Sequence, residues 1–204
     1  AEPPRRAARR DPRKDDAPMI PKMMTAVLLT GHGDMDKLAW RTDVPVPQPK
    51  AGEVLIRVAA SAVNNTDINT RIGWYSKKVE AATEAGGTTG FADVDDDDAS
   101  WSGTPLQFPR IQGADACGHI VAVGDGVDPA RIGERVLVRN MLRFYVDWRP
   151  YECWTFGSEV DGGFAQFTVA PSREVYAVRC DWSDAELASV PCAYSTAENM
   201  LHRA

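Results

Sequence analysis

Apolar positions in this chain recur in short runs closed by turns that carry glycine or proline. The run from Thr25 to Leu29 is compact and apolar, and the glycines of Gly31-His32-Gly33-Asp34 after it admit a turn. Through Pro45, Pro47 and Pro49 the chain is predicted to be an extended connecting arm, because proline has no amide to lend a central strand. Glu53 to Ala60 reads as a strand, with Val54, Ile56 and Val58 on one face and Leu55 and the stem of Arg57 on the other. Three further runs have the same character: His119 to Val123, closed by Gly124-Asp125-Gly126; Arg135 to Val138, after Gly133-Glu134; and Phe164 to Ala170, after Asp161-Gly162-Gly163. Short strands at this spacing, with few long helices, predict a mainly β barrel or sandwich. The pattern then changes: Ser183-Asp184-Ala185-Glu186 offers an N-cap with an acidic first turn, and Ser195 to Ala204 has the residues of a second helix.

Two stretches have no period. Residues 1–22 are rich in proline and arginine, and without apolar surface they cannot offset the entropy of ordering, so a disordered tail is predicted. Four acids interrupt its basic residues, which argues against a nucleic-acid arm, and it lacks the apolar core of a signal peptide. Residues 76–103 contain Gly86-Gly87, Gly90 and the run Asp95 to Asp98, and read as a solvated acidic insertion loop. A calcium loop of the EF-hand type needs alternating ligands, a central glycine and a distal glutamate, which this run does not supply.

Composition adds limits. At 204 residues, 44% hydrophobic and 25% charged, the chain can bury the core of one main domain, with material to spare. A net charge of -6 and a pI near 5.1 argue against a nucleic-acid binder held by phosphate neutralisation. No run of about 18 apolar residues predicts a membrane span. A cytoplasmic protein with neither nucleic-acid nor membrane partners is the expectation. Cys117, Cys153, Cys180 and Cys192 form no C-x-x-C pair, so they read as reduced thiols and give no structural zinc lobe.

An ordered set of short motifs then carries a resemblance. Gly52-Glu53-Val54-Leu55-Ile56-Arg57-Val58 is followed by Asn64-Asn65-Thr66-Asp67, then by Gly113-Ala114-Asp115-Ala116-Cys117-Gly118-His119-Ile120-Val121-Ala122-Val123-Gly124. Ile132-Gly133-Glu134-Arg135-Val136, Gly162-Gly163-Phe164-Ala165-Gln166 and Ala185-Glu186-Leu187-Ala188-Ser189-Val190-Pro191 complete it. Each is weak alone, but in this order the chain from about residue 24 onward resembles the medium-chain dehydrogenase/reductase superfamily. The resemblance implies a GroES-like β-barrel over residues 23–182, interrupted by the 76–103 loop. Residues 183–204 are then a helical linker at the first helix of a Rossmann α/β domain that the chain lacks. Gly124-Asp125-Gly126-Val127-Asp128-Pro129 is no substitute for the dinucleotide fingerprint, since it breaks the third glycine and leads into another strand.

Alcohol dehydrogenases of the superfamily hold catalytic zinc through a cysteine, a histidine and a second cysteine with an acid nearby. By resemblance those positions fall on Asn64, Ala114, Cys192 and Asp115, so one of three main ligands remains and no metal is expected. His119 lies in a strand pattern and reads as a structural imidazole. Zinc-free quinone and enone reductases commonly carry asparagine at the first position, and the resemblance makes Asn64, Thr66 and Tyr75 the catalytic candidates. Asn64 would orient substrate or nicotinamide, and Thr66 sits where alcohol dehydrogenases place a proton-relay hydroxyl. Tyr75, after Arg71-Ile72-Gly73-Trp74, resembles the pocket tyrosine of zinc-free members. Asp67 reads as hydrogen-bonding support, Trp74 as packing and Cys117 as core.

The implied function is the substrate-side domain of an oxidoreductase that passes hydride from NADP(H), or alternatively NAD(H), to a small carbonyl or quinone compound without zinc. This chain alone is expected to turn over poorly. The alternatives are a zinc-dependent alcohol dehydrogenase with displaced ligands and a non-enzymatic GroES-like binding module. Met200 and Leu201 are expected to be exposed or covered by a partner chain, which allows a homo-oligomer.

Overall fold

The computed structural model describes residues 19–91, 94, 100, 102 and 104–203. Residues 1–18 of the expected tail and the aspartates of the acidic run, Asp93 and Asp95 to Asp98, lie outside the described residues. Strands dominate, in the order β1 (Met23–Leu29), β2 (Leu38–Pro45), β3 (Glu53–Ala60), then helix α1 (Asn65–Ile72). They continue with β4 (Arg110–Ile111), β5 (Cys117–Val123), β6 (Arg135–Val138), β7 (Met141–Leu142), β8 (Trp154–Thr155), β9 (Phe167–Pro171) and β10 (Val175–Ala177). Helices α2 (Asp184–Ala188) and α3 (Pro191–Arg203) close the chain. Among the described residues no helix is long and apolar enough to cross a membrane.

The strands form a five-stranded antiparallel sheet in the order β10-β6-β5-β3-β9, a three-stranded sheet β2-β1-β4 and the pair β7-β8. The GroES-like barrel is therefore an open assembly of sheets. The two larger sheets meet at the Ala26–Ala165 bridge, where Val27 N–H donates to the Phe164 carbonyl at 2.9 Å.

Strand β3 lies between β5 and β9, and its alternation separates two cores. Val54 and Ile56 pack with Ile120, Val136, Val138, Phe156 and Ala170, while Leu55 joins Met24, Ala26, Ile111 and Phe167. Both faces of its first half are buried, and each such aliphatic side chain stabilises the fold by about 1.5–3 kcal/mol. A third, smaller cluster packs Leu187 and Ala188 of α2 on Cys117, which places that thiol in the core as expected.

Several boundaries differ from the sequence pattern. The proline-bearing arm is preceded by a full strand, β2, whose partner β1 takes its hydrogen bonds and leaves Pro45 at the strand end. The run that starts at Phe164 pairs as β9 only from Phe167, because Phe164 and Gln166 bond β1 instead. The last helix begins at Pro191 rather than Ser195; proline suits a first helical position, where no amide partner is needed. α2 starts at the expected Ser183 N-cap and closes a capping box, with Ser183 N–H donating to the Glu186 carboxylate at 2.7 Å. The described start of the 76–103 loop is anchored to α1: Phe91 N–H donates to the Ile72 carbonyl at 3.1 Å, and buried Arg71 donates to the carbonyls of Thr88 and Gly33.

Candidate functional site

α1 sets the site. Its N-cap, Asn64, has extended backbone, and the N3 residue Asp67 turns back so that one carboxylate oxygen accepts the Asn64 N–H at 2.8 Å. The other oxygen accepts the amides of Gly113 and Ala114 at 3.0 and 3.1 Å. Gly113 is needed there: its φ is 103°, and a Cβ would meet the Phe164 ring and amide at 2.7 Å. Burial raises the Asp67 pKa, and the three amides oppose that rise only in part. Asp67 thus pins the turn before β5 to the start of α1.

Asp115 is fully buried in that turn. One of its oxygens accepts the Cys192 N–H at the start of α3, at 2.7 Å, and the other accepts the Asn64 side-chain amide. Burial pushes its pKa up to about 6, the neighbouring Asp67 charge adds to the rise, and the bonds from Cys192 and Asn64 oppose it. The Asn64 side chain is thereby tied to Asp115 and, through the capping box with Asp67, to the first turn of α1.

The hydroxyls of Thr66 and Tyr75 are 2.9 Å apart. The Asn69 side chain also bonds the Tyr75 hydroxyl, and burial pushes the phenol pKa up, so Tyr75 keeps its proton at neutral pH. Trp74 packs edge-on against Tyr75 and donates its indole N–H to the Ala81 carbonyl at 3.0 Å. The Cys192 thiol is pushed up to about 11 by burial and by the Asp115 and Asp67 carboxylates, against a bond from Asn140. Asn69 and Asn140 are the site residues that sequence reasoning missed. Asn69 follows the Asn64-Asn65-Thr66-Asp67 motif by two residues but is not part of it, and Asn140 follows a strand with nothing to mark its side chain.

Zinc does not fit this set of side chains. Ala114 has no donor atom, the Asn64 amide nitrogen and both Asp115 oxygens are spent on one another and on Cys192, and the Cys192 thiol is left as one of the three main ligands such a site needs. The three histidines are dispersed: His32 Nδ1 bonds the Thr70 carbonyl, His119 lies in β5, and His202 pairs with Glu198 on exposed α3. Among the described residues no three His, Cys, Asp or Glu side chains are grouped to hold a metal. Nor does the Gly124-Asp125-Gly126 turn suit a dinucleotide. A Cβ on Gly124 would strike the Lys50 carbonyl at 1.8 Å, so this glycine serves the contact with the preceding arm, and the turn leads to β6.

Residues 50–179 match the alcohol dehydrogenase GroES-like domain. The chain belongs to the medium-chain dehydrogenase/reductase superfamily. A solved structure from Sinorhizobium meliloti 1021, provisionally described as an alcohol dehydrogenase, is 45% identical, with a TM-score of 0.74 over 91% of this chain and 48% of its own. The human quinone oxidoreductase is 28% identical across 88% of this chain and 41% of its own length. An L-threonine 3-dehydrogenase of Pyrococcus horikoshii is 26% identical across 89% of this chain and 44% of its own. The chain therefore spans about half, or less, of these superfamily relatives.

Proposed function

We propose that this chain is the substrate-side domain of a zinc-independent NAD(P)H-dependent reductase of quinone- or enone-type compounds, with residues 23–182 as the GroES-like unit and 183–204 as the linker to a nucleotide-binding half. The observation that carries it is the Asn64–Asp115 bond, which fills the position where a metal-dependent relative needs open ligands. The cofactor supplies hydride to the electron-poor carbon of the substrate. The chain's own groups do the rest. Tyr75, protonated and bonded to Thr66, delivers a proton to the enolate or phenolate oxygen that hydride addition creates, and Thr66 and Asn69 hold the phenol in place. Asn64, fixed by Asp115, positions a substrate or nicotinamide group.

NADP(H) is the favoured cofactor and NAD(H) the alternative. The test joins this chain to the nucleotide-binding half of the Sinorhizobium relative and follows NADPH oxidation with 1,4-benzoquinone, alongside metal analysis. Turnover by metal-free protein supports the reading. Turnover that requires stoichiometric zinc overturns it in favour of an alcohol dehydrogenase with displaced ligands.

A further inference from the structure

A cleft of about 1000 Å³ opens between α3 and the segment from β6 to Cys153, and Arg139, Asn140, Arg143, Tyr151, Thr196 and Asn199 are among the residues that line it. Asn140 joins it to the site, since the same side chain bonds the Cys192 thiol. Arg139 is the adjacent residue.

The two arginines are held differently. Arg143 donates to the carbonyls of Trp148 and Arg149 at 2.7 and 3.2 Å, and its guanidinium lies 5.9 Å from the centre of the Trp148 ring. Arg173 covers the same ring at 5.5 Å. Those bonds help hold a loop in which Asp147, Trp148 and Tyr151 all have left-handed backbone, with φ of 51°, 56° and 62°. Non-glycine residues in that conformation are strained and cluster at ligand sites. Arg139 makes only a loose ion pair, 3.7 Å from Glu174, and its side chain is 40% exposed. Glu174 is already satisfied by the amides of Arg143 and Phe144, at 2.8 and 3.1 Å. Among the described residues, the guanidinium of Arg139 therefore has donors to spare at the cleft wall. The acids nearby have partners: Glu152 pairs with Arg149 at 2.9 Å, Glu174 is buried beneath the wall, and Glu159, near Cys153, accepts the amides of Thr155 and Ser102 at 2.6 and 3.1 Å. Two arginines against the single paired Glu152 on the lining make a local reversal, in a chain of net charge -6, that favours an anion.

We propose that Arg139 binds the carboxylate of an acidic carbonyl substrate in this cleft, an assignment that rests on the reductase reading above. A guanidinium fork matches a carboxylate through two parallel bonds, and the pinned Arg143 adds positive potential without having to move. Arg139 is thus a specificity-determining residue that selects enones bearing a carboxylate over neutral enones.

The test is calorimetric and needs no turnover. The 204-residue chain is titrated with 3-oxocyclohex-1-ene-1-carboxylate and with its methyl ester, which keeps the enone and removes the charge. The acid is expected to bind about tenfold tighter or more, as suits a charge-assisted pair. Arg139→Gln, checked for a native-like thermal transition, is expected to erase that preference and leave ester affinity unchanged. Arg139→Lys, which keeps the charge and the contact with Glu174, retains only part of it. Equal binding of acid and ester by the native chain, binding of neither at millimolar concentration, or a preference that survives Arg139→Gln overturns the proposal. So does inorganic pyrophosphate that displaces the acid and binds more than tenfold tighter, since the arginine then serves a dinucleotide diphosphate. Failure of the reductase reading would instead appear as absent NADPH oxidation with the binding preference intact.

Discussion

The Asn64–Asp115–Cys192 cluster and the Arg139 cleft adjoin through Asn140, yet they treat polar groups in opposite ways. In the cluster the two buried carboxylates accept five N–H groups between them, from Asn64 twice, Gly113, Ala114 and Cys192. In the cleft a guanidinium stands with one loose partner at 3.7 Å. A saturated buried network is rigid and unresponsive to ligands, because any new partner must first displace an existing bond. A partly exposed cation with unused donors gains from a ligand and gives up little. On the proposed reading the cluster supplies architecture and the cleft supplies selectivity.

The sharpest way to break the comparison is to remove a carboxylate from the cluster. Asp67→Ala leaves the amides of Asn64, Gly113 and Ala114 without their acceptor, and chemical denaturation should show a loss of about 3–5 kcal/mol, typical of a broken buried charged network. Next is chemistry. In the joined protein, Tyr75→Phe should lower kcat by about 10²-fold, as for loss of a general acid, with KM little changed. Thr66→Val, which removes one of the phenol's partners, should cost less, and a solvent isotope effect should separate lost proton transfer from misfolding.

A smaller effect appears in pH dependence. The Asp115 carboxyl is at about 6 in the folded chain against an ordinary 3.8, so the folded state binds a proton more readily than the unfolded state. This group's contribution to stability is fully present below about pH 4 and is lost as pH rises through about 6. Native protein should therefore gain stability between pH 6 and pH 4 relative to Asp115→Asn, measured by thermal denaturation at each pH. Smallest of all should be the effect of Arg139→Gln on folding, within about 1 kcal/mol for a loose, part-exposed pair.

How far these two regions were legible in the sequence follows from what holds each together. Strands β3, β5 and β6 were visible because their apolar runs face cores on one or both sides, and the Ser183 N-cap because its chemistry is local. β2 was missed: its proline-flanked, largely exposed residues pair with β1 by backbone bonds that leave no apolar signature. α1 was missed as a helix because Asn65-Thr66-Asp67-Ile68-Asn69-Thr70 is rich in poor helix formers, and Asp67 anchors it to residues some 45 positions away. In the site, Asn64, Thr66 and Tyr75 were reached through a resemblance in motif order, and the structure brings Thr66 and Tyr75 into contact. Asn69, Asn140 and Arg139 carry no motif; their roles exist only once a phenol, a thiol or a cleft is folded against them.

The central claim is that the cluster is closed to metal by its own hydrogen bonds. It is tested most directly by titrating zinc into the native chain and into the Asn64→Cys/Ala114→His variant, with a chromophoric chelator as competitor. The expected result is no stoichiometric zinc in the native chain and one zinc per chain in the variant, where two ligands join Cys192. One tightly held zinc in the native chain would contradict the account.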